Sequence, residues 1–510
     1  MGKKQIKIGS VISYFTIFLN ILLGLIYTPW ILHRVGSSNY GLYTLATSLI
    51  SLFLLDFGMS AAVARFISNF RAQNNFKGIN SFIGLAIKFY VGICLLLSII
   101  LIGVYFNLES IYSNLTVDEL QTFRLVFIIT AFFLVICFPV NITNGILNAF
   151  EEYVWLKGAD IINKLGTVVV TIIVLLIGGG IFSLVFINGF FNLITFIVKV
   201  LIIKYKTPVC ISFKKNKAVS IGQIFSFSVW TTVNTVSQQM IFNLIPSVLA
   251  MVTDTLAITL YGFANVIEGY VYTITQAING LFMPSVSRLV VNNKDAKSVL
   301  PLMIKVGRIN QSIISILLIG LTVLGKDFVY LWVGEEFRDL YPCILLLSFP
   351  YFISAAQQIA NTSVVVMNKV KYSALINLVT GLINLGSSYV IAQKWGVIGV
   401  CGVTSIVCFI RIICLNIIYN NVLKINIRIF FRECHLKMMP GILISLILGI
   451  VVTKIMPYSF SGLVGWIYLG IKALIVATVY FGVMWFIGWN AYEKKLILSM
   501  LCYFKKENDV

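Results

Sequence analysis

Apolar runs of 20 residues or more recur from one end of this chain to the other. A helix rises about 1.5 Å per residue, so each run is long enough to cross the ~30 Å hydrocarbon core of a bilayer. Charged residues make up only 11% of the 510 residues, whereas a soluble domain would contain about 25%. The sequence therefore predicts an all-α, polytopic membrane protein.

The runs and the residues that interrupt them predict about 14 transmembrane helices, which we call spans 1 to 14. The first run is too long for the core of a signal peptide and lacks a small-residue cleavage site, so we expect it to be retained as span 1. The spans are predicted near residues 8–32, 41–63, 80–105, 122–146, 158–178, 181–203, 222–250, 256–283, 301–324, 342–366, 372–393, 396–420, 439–457 and 464–488.

Basic residues are distributed unevenly between alternate loops. The N-terminus, every second loop and the C-terminal tail hold 25 of the 38 Lys and Arg residues, whereas the opposite loops hold four: Arg34, Lys326, Arg338 and Lys394. Cytoplasmic loops carry an excess of Lys and Arg, so we predict that both termini are cytoplasmic. Because the basic charge follows this rule, the net charge of +20 does not indicate a nucleic-acid partner.

Residues that form familiar catalytic or metal sites are scarce. The nine Cys residues include no C-x-x-C motif and there are only two His, so neither a metal site nor a disulfide framework is indicated. The chain also lacks the G-x-x-x-x-G-K-[ST] motif of nucleotide-binding loops. The longest outer loops have about 16 residues, which leaves little chain for an outer catalytic site. We therefore expect no enzyme activity, no cofactor and no metal.

Landmarks in the first half of the chain reappear in the same order in the second half. The corresponding segments are Ile8-Gly9 with Ile221-Gly222, Tyr40-Gly41 with Tyr261-Gly262, and 146–166 with 366–386. Six spans per repeat is an even number, so the halves share one orientation and are expected to form two lobes around a cavity. We predict an N-lobe (1–205, spans 1–6), a C-lobe (206–425, spans 7–12) and a third segment (426–510) with spans 13–14 and a cytoplasmic tail.

Polar residues recur at helical spacing inside several spans. In span 8 the stripe consists of Asn265, Glu268, Tyr272, Gln276 and Asn279, which share one helix face. Span 7 contains Asn234 and Gln238, and its Pro246 permits a kink. Polar groups inside a membrane face either a water-filled cavity or another helix. Both alternatives, a cavity lining and interhelical hydrogen bonding, remain open for these stripes.

Charged residues also lie deep within predicted spans. The deeper cations are Lys88, Lys164, Arg308, Arg411 and Lys472, and the carboxylates well inside spans are Asp56 and Glu268. A cavity with more cations than carboxylates would be net basic and would suit an anion such as phosphate. For each of these residues, the alternative is a structural ion pair.

The first 75 residues contain an ordered set of further landmarks: Pro29, Arg34-Val35-Gly36, Tyr40-Gly41, Asp56-Phe57-Gly58 and Arg65. Their order and spacing resemble the N-terminal signature of the bacterial polysaccharide flippases. These proteins export O-antigen and capsule repeat units and belong to the multidrug/oligosaccharidyl-lipid/polysaccharide superfamily. Fourteen spans, cytoplasmic termini and a six-span duplication also fit this family.

The resemblance implies a flippase of the bacterial cytoplasmic membrane. Its substrate would be a polyprenyl-pyrophosphate-linked oligosaccharide, moved from the inner to the outer leaflet by alternating access of two lobes. The implied partners are this substrate and the phospholipid bilayer, with a polysaccharide polymerase and glycosyltransferases as candidate protein partners. Two alternatives stay open: an ion-coupled multidrug/cation antiporter of the same superfamily, and a membrane-embedded polysaccharide polymerase or ligase.

Residue patterns and the resemblance together define a candidate site. The resemblance places Arg34, Arg65 and Lys88 at cavity positions. Asp56 and Glu268 are predicted to form ion pairs or to bind a coupling ion. The complete set of predicted substrate-binding residues is Arg34, Arg65, Lys88, Lys164, Arg308, Arg411, Asn234, Gln238, Asn265, Tyr272 and Gln276.

Overall fold

The computed structural model describes residues 2–53, 59–210, 221–293, 296–457 and 462–507. All regular structure in these ranges is helical, which confirms the predicted fold class. The helices of the first half are α1 Gly2–Val35, α2 Ser37–Phe53, α3 Met59–Ala72, α4 Phe76–Phe106, α5 Leu108–Ile111, α6 Val117–Cys137, α7 Val140–Ala149, α8 Tyr153–Leu176 and α9 Ile181–Lys206.

The second half continues the pattern. Its helices are α10 Ile221–Phe242, α11 Ile245–Val252, α12 Thr255–Asn293, α13 Leu300–Val333, α14 Leu340–Ser348, α15 Tyr351–Ser354, α16 Gln358–Val366, α17 Val370–Asn421, α18 Ile427–Phe431, α19 Met439–Ile455, α20 Gly462–Val483 and α21 Ala491–Glu507. In the described ranges, ten helical segments are long and apolar enough to cross a membrane, or 11 with one bent pair. The protein is a multi-pass membrane protein, and the total of 14 spans is compatible with this pattern and stays a prediction.

Two breaks in the helices follow directly from residue type. α17 has 52 residues and is interrupted at Gly396, where φ is +56°. Glycine adopts this left-handed region without a Cβ clash, and the break lies between the predicted spans 11 and 12. The second break separates α10 from α11, whose axes differ by 41°. Pro246 lies in the first turn of α11, as expected from the predicted kink in span 7.

Side-chain caps determine where other helices begin. Asn75 accepts a hydrogen bond of 2.8 Å from the backbone N–H of Gly78 at the start of α4. Thr116 and Glu119 form a capping box at the start of α6, in which each side chain accepts from the other residue's backbone N–H. These contacts satisfy N–H groups that a helix leaves unpaired in its first turn.

Contacts divide the chain into two compact units. Unit 1 contains Met1–Gly262 and Asn377–Val403, and unit 2 contains Phe263–Ile376 and Thr404–Val510. The apolar core of unit 1 includes Val63, Phe82, Tyr90, Phe138 and Ile142. The apolar core of unit 2 includes Met303, Val306, Ile359, Tyr419 and Phe430. The lobes 1–205 and 206–425 were inferred from the repeat rather than from contacts, and they stay a prediction.

The two Tyr-Gly landmarks lie where α2 packs against α12 within unit 1. A Cβ atom on Gly41 would lie 2.5 Å from the carbonyl oxygen of Thr255 and 2.9 Å from Oγ1 of Thr259. A Cβ atom on Gly262 would lie 2.8 Å from Cγ2 of Thr44. Glycine therefore permits this close approach, and because residues 41 and 44 meet 259 and 262 in the same order, the two helices are parallel. Equivalent helices of a repeat with one orientation are expected to be parallel.

Candidate functional site

Glu268 is a buried carboxylate on α12 that accepts a hydrogen bond from the Tyr351 hydroxyl. The two residues are only 6% and 7% exposed. Tyr351 begins α15 directly after Pro350, and it packs with Val271 and Ile314 in an apolar cluster. Burying a charged carboxylate costs free energy unless hydrogen bonds or an opposite charge compensate for it. The hydroxyl of Tyr351 provides part of this compensation.

Arg411 on α17 provides the nearby positive charge. It is half-buried and lies close enough to interact electrostatically with Glu268, Tyr272 and Tyr351. Within the described part of the chain its guanidinium forms neither a hydrogen bond nor a direct ion pair. The guanidinium therefore lies near the Glu268 carboxylate, but none of its five N–H donors forms a hydrogen bond to that carboxylate.

The middle of the predicted stripe of α12, from Glu268 to Gln276, faces α15 and α16. The rings of Tyr272 and Tyr351 pack edge to face with their centroids 6.4 Å apart. Gln276 Nε2 donates to Gln358 Oε1 at 3.4 Å. Glu268, Tyr272 and Gln276 therefore share one helix face, as their spacing predicted. Tyr272 is 40% exposed, so part of this face is accessible, while Glu268 and Gln276 also make interhelical hydrogen bonds.

Polar residues of α10 bond to α17 within unit 1. Asn377 Nδ2 donates to Asn234 Oδ1 at 2.6 Å, and Asn384 Nδ2 donates to the carbonyl oxygen of Ile241 at 2.9 Å. Gln238 and, on α12, Asn265 are half-buried. For Asn234 the structure thus shows the interhelical hydrogen bonding that was one of the two alternatives for the stripes.

Arg308 on α13 is enclosed by groups that use its donors. Its Nη2 lies 2.9 Å from Oε2 of Glu493 and 2.8 Å from the carbonyl oxygen of Gly488, and its Nη1 lies 2.7 Å from that of Glu433. The side chains of Arg308 and Glu493 are only 4% and 5% exposed. These contacts favour the structural ion pair, which was the alternative to substrate binding for this residue.

Two further intramembrane lysines are also neutralised. Lys472 Nζ lies 2.8 Å from Oδ2 of Asp327, with the lysine side chain 1% exposed. Lys199 Nζ donates to Asp160 Oδ1 at 2.8 Å and to Asn144 Oδ1 at 2.9 Å. Because lone buried charges are costly, such pairs are expected inside a membrane protein. They reduce the number of cations available to a ligand.

The other predicted cations belong to unit 1. The exposed guanidinium of Arg34 lies 5.8 Å from the ring centroid of Trp30. Arg65 and Lys88 are exposed on α3 and α4, and Lys164 is half-buried on α8. Asp56 lies outside the described residues. The cluster around Glu268 and Arg411 is thus a distinct part of the candidate site, confined to unit 2.

Sequence reasoning did not single out the residues that face Glu268 and Gln276. Tyr351 and Gln358 lie in span 10, where Tyr351, Ser354, Gln358 and Thr362 recur at the same 3-4-4 spacing as the first four stripe residues of span 8. That shared spacing was an available signal of two polar faces.

Glu493 was also missed, because it lies in a tail where charged residues are ordinary.

The fold is similar to that of solved membrane transporters. The lipid II flippase MurJ in an inward closed conformation has a TM-score of 0.68 and 15% identity, covering 96% of this chain and 99% of that chain. An inward-facing multidrug resistance MATE family transporter of the MOP superfamily has a TM-score of 0.64 and 12% identity, covering 80% and 96%. A MOP superfamily transporter from Pyrococcus furiosus has a TM-score of 0.52 and 13% identity, covering 81% and 92%. These likenesses define the fold class, a polytopic helical protein with a MurJ- and MATE-like architecture.

The family is established by the sequence itself. Residues 8–291 match the profile of the family described as polysaccharide biosynthesis protein. The chain therefore belongs to the polysaccharide biosynthesis protein family, and the resemblance based on the N-terminal landmarks is confirmed. No curated protein matches the chain significantly.

Proposed function

We propose that the protein moves a polyprenyl-pyrophosphate-linked oligosaccharide from the inner to the outer leaflet of the bacterial cytoplasmic membrane. Membership of a polysaccharide biosynthesis family and a flippase-like fold support this class of substrate. The proposal rests mainly on Arg411. This cation is half-buried and lies among polar side chains, and its N–H groups form no hydrogen bond within the described part of the chain.

The chemistry around Arg411 suits a diphosphate attached to a sugar. A guanidinium binds phosphate oxygens through two parallel N–H donors. The exposed part of Tyr272 and the amides of Gln276 and Gln358 provide an aromatic surface and hydrogen-bonding groups for a sugar ring. Glu268 orients the guanidinium electrostatically, and Tyr351 holds the carboxylate in place. We further propose that four other cations attract the anionic substrate toward this site: Arg34, Arg65, Lys88 and Lys164.

The orientation and partners of the transporter complete the proposal. Both termini face the cytoplasm, so glycosyltransferases on that side would build the lipid-linked unit, and a polymerase on the opposite side would consume it. Because the sequence has no nucleotide-binding motif, the drive would come from an ion gradient or from downstream consumption of the product.

The test is a complementation experiment in a strain that lacks this gene. The strain should accumulate lipid-linked repeat units on the inner leaflet and lose surface polysaccharide, and the wild-type gene should reverse both. Arg411→Ala should fail to complement at wild-type protein levels, with partial function for Arg411→Lys. Arg124→Ala is the matched control, because Arg124 forms an exposed pair with Glu109 at 2.8 Å. Full complementation by Arg411→Ala would refute the role of this cation, and normal lipid pools in the deletion strain would refute the function.

Glu268 supports a second candidate function, an ion-coupled multidrug/cation antiporter. Its burial in a fold similar to that of MATE transporters is what a cation-binding carboxylate would require. The two functions differ in which charged residue transport should require. An antiporter for cationic drugs should lose drug resistance in Glu268→Gln and keep it in Arg411→Ala, whereas the flippase should lose surface polysaccharide in Arg411→Ala.

A further inference from the structure

The outer ends of the two repeat halves are joined by hydrogen bonds within unit 1. Oε1 of Glu119 accepts from Ser38 Oγ at 2.8 Å and from Thr255 Oγ1 at 2.9 Å. Thr259 Oγ1 donates to the carbonyl oxygen of Ser37 at 2.8 Å. We call this contact, between the starts of α2 and α6 in the first half and of α12 in the second, the outer seam. Glu119 is the carboxylate at its centre.

The seam continues from α5 and its following loop to α11. The hydroxyls of Tyr112 and Ser247 share a hydrogen bond of 2.6 Å, and Asn114 Nδ2 donates to the carbonyl oxygen of Met251. Burial raises the pKa of Tyr112 to about 12, so this phenol remains protonated at neutral pH. These two contacts, like those of Thr255 with Glu119 and of Thr259 with Ser37, connect residues of the first repeat half with residues of the second.

The seam differs in composition from the packed cores of the units. Its hydrogen bonds join hydroxyl, amide, carbonyl and carboxylate groups, and Gly41 and Gly262 lie at the points of closest approach between α2 and α12. Water can replace hydrogen bonds of this kind at a modest net cost, whereas exposing a large buried apolar surface costs more. A polar contact backed by glycines is therefore suited to separate and re-form repeatedly.

We propose that the outer seam is the contact that opens when the substrate is released, and that Glu119 is the positioning residue that holds it closed. This inference rests on the proposed function for the identity of the substrate, but not for the movement itself. In the closed state the Glu119 carboxylate binds α2 and α12 together. In the open state water solvates the carboxylate and the hydroxyls of Ser38 and Thr255.

A reversible cross-link tests whether the seam must open. In a background without native cysteines, Ser38→Cys/Thr255→Cys should be joined by a short thiol cross-linker with a cleavable disulfide, because both native hydroxyls bind one oxygen atom. Cross-linking should abolish export of the lipid-linked oligosaccharide, and cleavage of the linker should restore it. Each single variant treated in the same way should keep its activity. Undiminished export by the cross-linked protein would overturn the proposal.

Accessibility tests the role of Glu119 separately from transport. Ser247→Cys is buried in the closed seam, so a membrane-impermeant thiol reagent should label it slowly in intact cells. Glu119→Ala removes hydrogen bonds to a charged acceptor and should raise the labelling rate about tenfold or more. Glu119→Gln, which keeps an acceptor oxygen, should lie between the two. Glu109→Ala is the control, because Glu109 is 75% exposed and its pair with Arg124 lies within the first half.

The outcomes separate this inference from the proposed function. Equal labelling in Glu119→Ala and in the parent would overturn the role of Glu119. Labelling could instead be faster in Glu119→Ala while the wild-type protein exports no lipid-linked oligosaccharide. That result would support the role of Glu119 in the seam and would refute only the proposed substrate. A merely structural role for Glu119 would lower thermal stability without raising the labelling rate.

Discussion

Arg308 and Arg411 show how two similar residues in a sequence acquire different surroundings in the fold. Both lie within predicted spans, and both were predicted to bind an anion. Arg308 donates to Glu493 and to two backbone carbonyl groups, whereas Arg411 keeps its donors unused within the described chain. The difference lies in the partners that the fold provides rather than in the residues themselves.

The Arg308 pair leads to a prediction about stability. Removing one partner of a buried pair leaves an uncompensated charge and costs about 3 to 5 kcal/mol. Glu493→Gln and Arg308→Ala should therefore each lower the Tm of the purified protein by several degrees, measured by thermal unfolding in detergent. The double variant Arg308→Met/Glu493→Leu should recover most of the loss, because no charge remains buried.

The control for this prediction is the exposed pair of Glu433 and Lys437. Glu433→Gln removes a carboxylate that contacts solvent and leaves the backbone oxygen that Arg308 uses, so the Tm should not change. If Glu493→Gln behaved like Glu433→Gln, the pair would have no structural role and Arg308 would return to the set of substrate-binding candidates.

At the scale of elements, the contact between α2 and α12 depends on the absence of side chains. Gly41 faces a backbone oxygen at a distance that no Cβ tolerates, 2.5 Å, and a backbone atom cannot rotate away as a side chain can. The Tyr-Gly landmark found in both halves of the sequence is thus explained by helix packing.

Gly41→Ala should separate α2 from α12 and weaken the outer seam. We expect reduced export of the lipid-linked oligosaccharide and faster labelling of Ser247→Cys from the outside. Gly92→Ala on α4 is the matched control, since its Cβ would meet no atom within 4 Å. That variant should keep activity and show an unchanged or higher Tm, because alanine favours a helix by about 0.5–1 kcal/mol over glycine. Equal behaviour of the two variants would contradict the packing argument.

At the scale of the whole molecule, the distribution of charge predicts the orientation in the membrane. In a background without native cysteines, Glu336→Cys should react with a membrane-impermeant thiol reagent in intact cells, because it lies in an acidic loop predicted to face outwards. Lys369→Cys should react only after permeabilisation. Both native side chains are exposed, so burial would not explain a difference.

The native Cys210 provides an internal control for orientation. It is exposed in a basic loop that is predicted to be cytoplasmic, so a variant that retains only this cysteine should behave like Lys369→Cys. Labelling of Cys210 in intact cells would contradict cytoplasmic termini and would reverse the direction of the proposed transport.

Much of the element-level structure could be predicted because its causes are local. Hydrophobic run length identified the helices and separated spans 11 and 12 near the position where the structure breaks α17 at Gly396, and Pro246 marked the bend in span 7. The partners in the candidate site could not be predicted in the same way. Glu268 and Tyr351 are 83 residues apart in the chain, and helical spacing defines the face of each helix but not which faces meet.

The sequence by itself determined the class of this protein, a helical membrane protein of the polysaccharide biosynthesis family, and it predicted a duplicated arrangement of spans. Run length, composition and ordered landmarks are properties of the chain that need no neighbours. Only the tertiary structure decided which buried charges are neutralised, since Arg308 and Glu493 are separated by 185 residues. A charge in a membrane is tolerated when a partner lies a few ångströms away, and that proximity is produced by packing.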